Sequence, residues 1–207
     1  MGGKLKIGVL GSGKGSNFLA IQNAIEQGKL SAEVAIVLSD IEDAGILGFA
    51  RRKGLNAVYL PPGKFRTKFE PAAEQKCVDL LREAGVELVV LAGFMRMLKN
   101  IFLTPFEGRV INIHPSLLPA FAGLDAWRQA FESGVRYTGC TVHYVTLEMD
   151  AGPIISQAVV PVLPDDTPEK LHARIQEQEH RIYPEAIQWI AEGKLTMSGR
   201  RVLVQNR

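Results

Sequence analysis

The sequence predicts an α/β protein with a Rossmann-like, mostly parallel sheet, helices on both faces and an antiparallel C-terminal extension. Two observations support this fold class. Short apolar runs bounded by glycine or proline alternate with helical periodicity through the first half of the chain, which is typical of parallel strands joined by right-handed crossovers. In the second half, two strand patterns are separated by a connection too short for a parallel crossover, so we expect them to pair antiparallel.

The first half of the chain supplies four predicted strands and three predicted helices. The strands cover residues 4–10, 34–38, 57–60 and 88–92, and the helices cover 18–27, 44–53 and 72–83. A glycine follows each helix, as is common where the chain turns after the last helical residue: Gly28, Gly54 and Gly85. Open parallel sheets bind ligands at the carboxyl ends of their strands. We therefore expect the loops 11–17 and 93–98 to converge with the end of a strand at 110–114.

The second half begins with that strand and continues with longer elements. We predict a helix at 124–132, strands at 138–146 and 153–162, a helix at 169–192 that bends at Pro184, and an edge strand at 202–204. Residues 165–168 carry capping chemistry for the long helix. The chain has 207 residues, of which 46% are hydrophobic, so it can bury one full core. We expect a single domain over 1–207, with an N-terminal half of about 1–105 and a C-terminal half of about 106–207.

The composition excludes several functional classes. Lys and Arg number 24, and Asp and Glu number 22, a balance that argues against binding to nucleic acid or to a membrane surface. No apolar run approaches the roughly 20 residues that span a bilayer, and we expect a cytoplasmic protein. Cys77 and Cys140 lie far apart without ligand spacing. Neither a disulfide framework nor a metal site is therefore predicted.

A glycine-rich loop follows the first strand, at 11–17. It matches a P-loop incompletely, because Gly15 stands where that motif needs Ser or Thr. It also matches a dinucleotide fingerprint incompletely, because Ser16 replaces the third glycine and the nearest acidic candidate, Asp40, comes late. Both motifs share glycines that allow close backbone approach and a helix N-terminus that favours an anion. We predict a bound phosphate; the alternative is a tight turn in which Ser16 or Asn17 only caps the helix.

A second candidate site lies at the end of the 110–114 strand. The side-chain period of two places Asn112 and His114 on one face. Pro115 restricts His114 to an extended conformation at the last position of the strand. A polar pair on one face of a strand end is a candidate catalytic site. The alternative is that both side chains are ordinary polar groups paired with a nearby turn.

Several segments together resemble the glycinamide ribonucleotide formyltransferases, folate-dependent enzymes of de novo purine synthesis. Each segment is weakly specific alone, but their order and spacing cover nearly the whole chain. They are 13–17, 91–96, 112–119, 141–143, 150–153, 178–180 and 183–184. The resemblance implies a formyltransferase fold. It also implies transfer of a formyl group from 10-formyltetrahydrofolate to the amine of glycinamide ribonucleotide, with no metal.

The resemblance assigns the chemistry to Asn112, His114 and Asp150. The Asn112 amide and protonated His114 would donate to the formyl oxygen as negative charge develops there. Asp150 would stabilise the imidazolium and help to carry a proton from the attacking amine toward the folate nitrogen. Without the resemblance, an Asp-x-Gly loop favours a turn-forming role for Asp150.

The resemblance also implies two sets of binding residues. For the ribonucleotide they are the backbone of Gly15, Ser16 and Asn17 at the phosphate, Gln176 and Glu179 at the ribose, and Met95, Ile113 and Pro115 along the substrate. For the folate they are Asn112, backbone groups of Met95, Arg96, Met97 and Leu98, an apolar slot of Leu91, Phe102, Val110 and Val145, and the basic residue Lys68 or Arg66. The alternatives are a solvated helix face for Glu179 and ordinary core positions for the apolar residues.

Two positions depart from the family pattern. Asp125 and Trp127 stand where the family commonly has histidines, and Asp125 is expected to place a second carboxylate near Asp150. His143 matches a family histidine near the site, although an ordinary strand histidine is an equal alternative.

Other functions explain less of the sequence. The nearest rival, formyltetrahydrofolate hydrolase, has a second histidine where this chain has Pro115. Methionyl-tRNA formyltransferase carries a further basic domain for its nucleic acid. A nicotinamide-dependent oxidoreductase that uses Asp40 leaves Asn112, His114 and Asp150 unexplained. A non-catalytic nucleotide-binding module remains a further alternative. We expect small-molecule partners only, and a monomer or homodimer.

Overall fold

The computed structural model describes residues 3–205, which form two compact units that divide between Ile111 and Asn112. The two halves expected from the sequence meet at about residue 105, close to this boundary. That the whole chain acts as a single domain stays a prediction.

Unit 1 alternates strands with helices. Its elements are β1 (Leu5–Leu10), α1 (Ser16–Glu26), β2 (Ala32–Ser39), α2 (Gly45–Arg52), β3 (Ala57–Tyr59), α3 (Pro71–Glu83), β4 (Leu88–Leu91) and α4 (Asn100–Leu103). The strands lie in the order β3-β2-β1-β4, and all neighbours are parallel. The predicted parallel sheet and its three helices are therefore confirmed. Only α4 lies outside the predicted elements, because a single turn carries no hydrophobic period.

The sheet of unit 1 is covered by its own helices. Ile7 and Val9 of β1 are fully buried, as are Phe18 of α1 and Val78 of α3. A side chain at Gly8 would overlap Leu81 of α3, so this helix packs directly against the strand. Parallel strands buried on both faces form continuous apolar runs, which is why these strands were recognisable in the sequence.

Unit 2 contains the end of β5 (Val110–His114) and a largely antiparallel sheet. Its further elements are α5 (Ala126–Glu132), β6 (Tyr137–Tyr144), β7 (Ile154–Pro161), α6 (Pro168–Ala191), β8 (Leu195–Ser198) and β9 (Arg201–Val204). The strands lie in the order β5-β6-β7-β9-β8, with β6 antiparallel to β7 and β8 antiparallel to β9. The predicted antiparallel extension is confirmed. Strand β8 was not predicted, because its four residues are mostly exposed. The strand expected at 202–204 forms as β9, but its predicted edge position is wrong, because β8 pairs with its outer side.

The long helix α6 begins as its capping residues predict. Thr167 Oγ1 accepts a hydrogen bond from Lys170 N at 3.3 Å, and Pro168 occupies the first helical position. Pro184 lies inside the helix and is buried; the bend expected there stays a prediction. None of the helices formed by residues 3–205 is long and apolar enough to cross a membrane.

Gly139 of β6 provides a test of how closely β6 packs against β7 and against Leu117. A Cβ at Gly139 would overlap Ala158 O of β7 and lie 2.9 Å from Leu117 Cδ2. We expect Gly139→Ala to lower the free energy of unfolding by about 2–3 kcal/mol. Gly48 in α2 has only Arg52 Nη1 near an added Cβ, at 3.5 Å, so Gly48→Ala should instead raise it by up to about 1 kcal/mol. Urea denaturation measures both, and equal effects would contradict the packing.

Candidate active site

The glycine loop of unit 1 joins β1 to α1 in a conformation that needs glycine. Gly15 has φ of 83°, and a Cβ there would lie 2.9 Å from Ile46 Cα. At Gly11 an added Cβ would lie 2.8 Å from Ala92 O. Gly15 is the N-cap of α1, and no side chain caps the helix. Ser16 and Asn17 lie in the first turn of α1 and neither is its N-cap residue. That the N-terminus of α1 binds a phosphate stays a prediction.

The loop 93–98 after β4 is tied to the glycine loop. Ser12 N donates to Gly93 O at 3.0 Å, and Met95 N donates to Ser12 Oγ at 3.0 Å. The predicted convergence of these two loops is confirmed. Where they lie relative to the end of β5 stays a prediction.

The predicted folate residues of unit 1 differ in exposure. Met95 is 60% exposed and Met97 is 40% exposed, whereas Leu91, Leu98 and Phe102 are buried. Phe102 exposes no surface and packs on Phe106, so a ligand reaches it only if its surroundings move. Phe102 is therefore an ordinary core residue in the structure, as the alternative interpretation predicted.

The two basic candidates for folate contact lie on the loop 65–68. Lys68 is half-buried, pairs with Met97 in a short parallel β-bridge, and holds its ammonium 4.5 Å from the Phe65 ring centre. Arg66 is exposed. The side chain of Arg96 turns inward, with Nε 2.6 Å from Asp40 Oδ2. Asp40 is therefore engaged by a protein cation, which weakens the dinucleotide alternative.

In unit 2, the end of β5 carries the predicted polar pair. His114 is 5% exposed, and its Nε2 donates to Phe121 O at 2.9 Å. Asn112 is half-buried, while Ile113 between them is 6% exposed. Pro115 follows and is half-buried. His114 is therefore held at both ends, by the strand and by the loop that follows it.

Asp150 lies in the turn between β6 and β7 and faces His114. Its Oδ2 is 3.5 Å from His114 Nδ1 and accepts a hydrogen bond from Gly123 N at 2.8 Å. Asp150 has φ of 53°, a conformation that Asp adopts more readily than most residues. The turn-forming interpretation of Asp150 therefore describes the structure, and the turn also places its carboxylate beside the imidazole. The catalytic role of Asp150 stays a prediction.

His143 completes the buried group. Its Nδ1 donates to Tyr144 O at 2.9 Å, and its Nε2 lies 3.3 Å from Asn112 Nδ2 and 3.9 Å from Asp150 Oδ1. Burial lowers the pKa of His143, an effect that the Tyr144 carbonyl and the Asp150 carboxylate oppose and that His114 reinforces. The neutral ring then accepts from the Asn112 amide. Asn112 keeps a second N–H for another acceptor.

The loop after His114 is held by a buried hydroxyl. Thr141 Oγ1 of β6 donates to Ser116 O at 2.7 Å and accepts from Leu118 N at 3.1 Å. Gln157 Nε2 of β7 donates to the same hydroxyl at 3.0 Å. Thr141 was part of the resembling segments, but its role could not be predicted, because its three partners lie 25, 23 and 16 residues away in sequence.

Glu179 on α6 is 4% exposed. The interpretation of this position as a solvated helix face is therefore wrong. Its charge also helps burial to raise the pKa of the Cys140 thiol to about 12. Gln176, one turn earlier on α6, is half-buried. A buried carboxylate is costly unless it has a polar or charged partner. Glu179 is not without a partner in the structure.

The two departures from the family pattern serve α5. Asp125 is exposed and is the N-cap residue of α5, with φ of 52°. Trp127 stacks on His172 of α6, with ring centres 3.9 Å apart and planes inclined by 7°. Asp150 receives its hydrogen bond from Gly123 N instead. Trp127 thus packs α5 against α6, whereas the side chain of Asp125 makes no capping hydrogen bond.

A cavity of about 680 Å³ opens beside Asp150. It lies within unit 2 and is lined by residues of 118–122, 148–157 and the β8–β9 hairpin. Its size is within the range of small-molecule sites. Among residues 3–205, no group of three or more His, Cys, Asp or Glu side chains is placed to hold a metal ion.

The comparison with known families decides what kind of protein contains this site. The sequence model of the family described as "Formyl transferase" matches residues 5–187. The chain belongs to the formyl transferase family. The match includes Asn112, His114, Asp150 and the glycine loop, so every part of the candidate site lies inside it.

Two relatives cover nearly all of this formyltransferase. The phosphoribosylglycinamide formyltransferase of Escherichia coli (strain K12) is 42% identical over 193 residues, which are 93% of this chain and 90% of the relative. The crystal structure of glycinamide ribonucleotide transformylase 1 from Symbiobacterium toebii has a TM-score of 0.95 at 49% identity, and the match covers 100% of this chain and 96% of that chain. The resemblance predicted from the sequence and the α/β fold class are thereby confirmed.

A third relative is much longer. The "Trifunctional purine biosynthetic protein adenosine-3" of Gallus gallus is 44% identical over 194 residues. That match covers 92% of this formyltransferase but only 19% of the length of the relative.

The lowered pKa of His143 predicts a pH dependence of stability. The unfolded chain binds a proton at this histidine at a higher pH than the folded protein does. The free energy of unfolding should therefore fall as pH drops from about 7.5 to about 5.5, through the ordinary histidine pKa near 6.5. We expect His143→Gln to reduce this fall, by at most about 1.4 kcal/mol per pH unit.

Urea denaturation of both proteins at the two pH values measures this effect. His180, whose pKa burial also lowers, should leave a residual slope that His143→Gln/His180→Gln reduces further. An identical fall in the wild type and in His143→Gln would contradict the prediction.

Proposed function

We propose that this formyltransferase transfers the formyl group of 10-formyltetrahydrofolate to the amine of glycinamide ribonucleotide. The product is N-formylglycinamide ribonucleotide, in purine biosynthesis. The observation that carries the proposal is the buried group of Asn112, His114 and Asp150, in which His114 Nδ1 and Asp150 Oδ2 are 3.5 Å apart. Two relatives that match most of the chain support the proposal by their names: one is called a phosphoribosylglycinamide formyltransferase and the other a glycinamide ribonucleotide transformylase.

The reaction needs a place for one developing charge and a route for one proton. The substrate amine attacks the formyl carbon, and a C–N bond forms while the carbonyl electron pair moves onto the formyl oxygen. The pair then returns, and the bond to folate N10 breaks. The attacking amine loses a proton and N10 gains one. Stabilising the oxyanion with preorganised donors is the largest contribution that such a site makes.

Asn112 and His114 are the proposed oxyanion donors. The neutral His143 ring accepts one N–H of the Asn112 amide at 3.3 Å, so the other N–H keeps a defined direction. In His114 the contact with Asp150 uses Nδ1, and Phe121 O accepts from Nε2 at 2.9 Å. If His114 keeps its contact with Asp150 through Nδ1, only Nε2 can donate to the formyl oxygen. The formyl oxygen must then replace Phe121 O as the acceptor at Nε2.

Asp150 is proposed to stabilise the charged form of His114 and to help the proton move from the amine to N10. The carboxylate lies 3.5 Å from the ring nitrogen, a distance at which it can pair with positive charge that develops on the ring during the reaction. The hydrogen bond from Gly123 N holds that carboxylate in place. The cavity beside Asp150 provides room for the water that such a transfer can use.

The proposed ribonucleotide contacts are those that the family resemblance assigns. Backbone N–H groups at Gly15, Ser16 and Asn17 would hold its phosphate, since the N-terminus of α1 carries no side-chain cap. Glu179, with Gln176, would accept the ribose hydroxyls. The remaining contacts would come from three side chains along the substrate: Met95, Ile113 and Pro115.

A folate-derived formyl donor is typical of this family, and we propose 10-formyltetrahydrofolate as its form. The pterin would meet backbone groups of 95–98, beside the apolar residues Leu91, Phe102, Val110 and Val145. Lys68 is the preferred basic contact, because it is half-buried beside Met97, whereas Arg66 is exposed. Action on small molecules in the cytoplasm, as a monomer or homodimer, remains a prediction from the sequence.

The decisive assay follows formyl transfer to glycinamide ribonucleotide with the wild type and with His114→Ala. We expect activity in the wild type and a loss of at least about a hundredfold in kcat for the variant, as when an oxyanion donor is removed. His172→Ala, which removes a ring stacked on Trp127, is the matched control and should keep kcat within about threefold. Near-normal turnover of His114→Ala would refute its role.

The same assay without ribonucleotide separates transfer from hydrolysis. A formyltransferase should release formate far more slowly than it transfers the formyl group. Formate release without the ribonucleotide at a rate comparable with that of formyl transfer would support the hydrolase alternative.

Glu179 gives a test of the ribose contact. We expect Glu179→Gln to raise the KM for the ribonucleotide about tenfold, the usual effect of weakening a charged hydrogen bond, with a smaller change in kcat. Glu177 is two residues away on α6 and exposed, so Glu177→Gln is the control. Steady-state kinetics with saturating folate measures both, and equal KM values for the two variants would exclude the contact.

A further inference from the structure

A buried ion pair in unit 1 has no place in the chemistry described so far. Arg96 Nε and Asp40 Oδ2 are 2.6 Å apart, and the two side chains are 10% and 3% exposed. Burying a pair of charges contributes little net stability, because desolvation offsets the attraction. The contacts that the pair makes with neighbouring loops indicate a role beyond stability.

On one side, the guanidinium of Arg96 holds the loop 65–68. Its Nη1 donates to Phe65 O at 2.7 Å, to Arg66 O at 3.1 Å and to Lys68 O at 3.4 Å. Three carbonyls of a short loop thus converge on one cation. Lysine cannot reproduce this arrangement, because Arg96 uses two nitrogens, Nε for Asp40 and Nη1 for the three carbonyls, whereas lysine has only one.

On the other side, Asp40 holds the glycine loop. Its Oδ1 accepts from Ser12 Oγ at 2.6 Å, while the same hydroxyl accepts from Met95 N at 3.0 Å. Both oxygens of Asp40 are therefore used within the protein. One carboxylate joins the glycine loop to Arg96 and, through Ser12, to the backbone of 93–98.

We infer that Ser12, Asp40 and Arg96 form a strut that positions the folate loop 65–68 and the loop 93–98 against the phosphate loop. This inference rests on the proposed function, which assigns the folate to the first two loops and the phosphate to the third. The three side chains are positioning residues, since the inference requires none of them to touch the reacting atoms. Their effect should appear in substrate binding.

Arg96→Lys tests the arm that holds 65–68. The charge beside Asp40 stays, but the three carbonyls lose their common donor. We expect the KM for the folate donor to rise about tenfold, since small misplacements of positioning groups have large effects, while the KM for the ribonucleotide and kcat change less than about threefold. A role in stability alone would lower the active fraction, and hence kcat, and leave both KM values unchanged.

Arg174→Lys is the matched control. Arg174 pairs with Asp166 at 2.7 Å through two nitrogens, in unit 2, and the Asp166 side chain is 1% exposed. The substitution makes the same chemical change at a similar ion pair. Both KM values should stay within about twofold of the wild type.

Trypsin cleavage provides a readout that does not need activity. Arg66 is exposed and Lys68 half-exposed on the held loop. We expect cleavage after these residues to be at least about fivefold faster in Arg96→Lys than in the wild type or Arg174→Lys, because a loop must open locally to be cut. If the wild type transfers no formyl group, the proposed function fails while cleavage still tests the strut. Unchanged cleavage together with an unchanged KM for the folate donor overturns it.

Ser12→Ala keeps the inference testable if Arg96→Lys folds poorly. It removes both hydrogen bonds of the hydroxyl and leaves the Asp40–Arg96 pair intact, so no buried charge loses its partner. Because Ser12 joins the glycine loop to 93–98, we expect the KM values for both substrates to rise about threefold. Unchanged KM values in a folded Ser12→Ala protein overturn the strut.

Discussion

The candidate chemistry of unit 2 depends on buried polar groups that must satisfy one another. His114 and His143 are 5% and 2% exposed, and an unpaired polar group at such depth is costly. The Tyr144 carbonyl accepts a hydrogen bond from Nδ1 of the neutral His143 ring. Nε2 of the same ring is therefore free to accept a hydrogen bond from the Asn112 amide. The direction of Asn112 is therefore set before any substrate binds. Donors aimed in advance are what oxyanion stabilisation requires.

The antiparallel extension is what makes this arrangement stable. Strand β6 supplies Thr141 and His143 on one face, and the turn to β7 supplies Asp150 in a left-handed conformation. Thr141 fixes the loop after His114, while Gln157 of β7 donates to both Leu118 O and the Thr141 hydroxyl. The strands thus support the loop at several points. Without these hydrogen bonds, the segment after β5 would lose the contacts that hold Ser116 and Leu118 in place.

The sequence predicted the large elements because each carries a long period or a capping signal, as in the alternation of β6 and Thr167 at the start of α6. It missed α4 because a single helical turn has no hydrophobic period, and it missed β8 because the residues of that strand are mostly exposed. Asn112 and His114 were recognisable from alternation before Pro115. Asp150 needed the family resemblance, since no local pattern tells a turn Asp from a catalytic one. The partnership of Asp40 with Arg96 was out of reach, because 56 residues separate them.

The departures at Asp125 and Trp127 show why aligned positions do not fix roles. A side-chain donor that holds a carboxylate can be replaced by a backbone N–H, because both make hydrogen bonds of similar length. Here Gly123 N donates to Asp150 at 2.8 Å, and Asp125 is exposed at the start of α5. Trp127 stacks on His172 and joins α5 to α6. The hydrogen bond from Gly123 N to Asp150 does not depend on the side chains at positions 125 and 127.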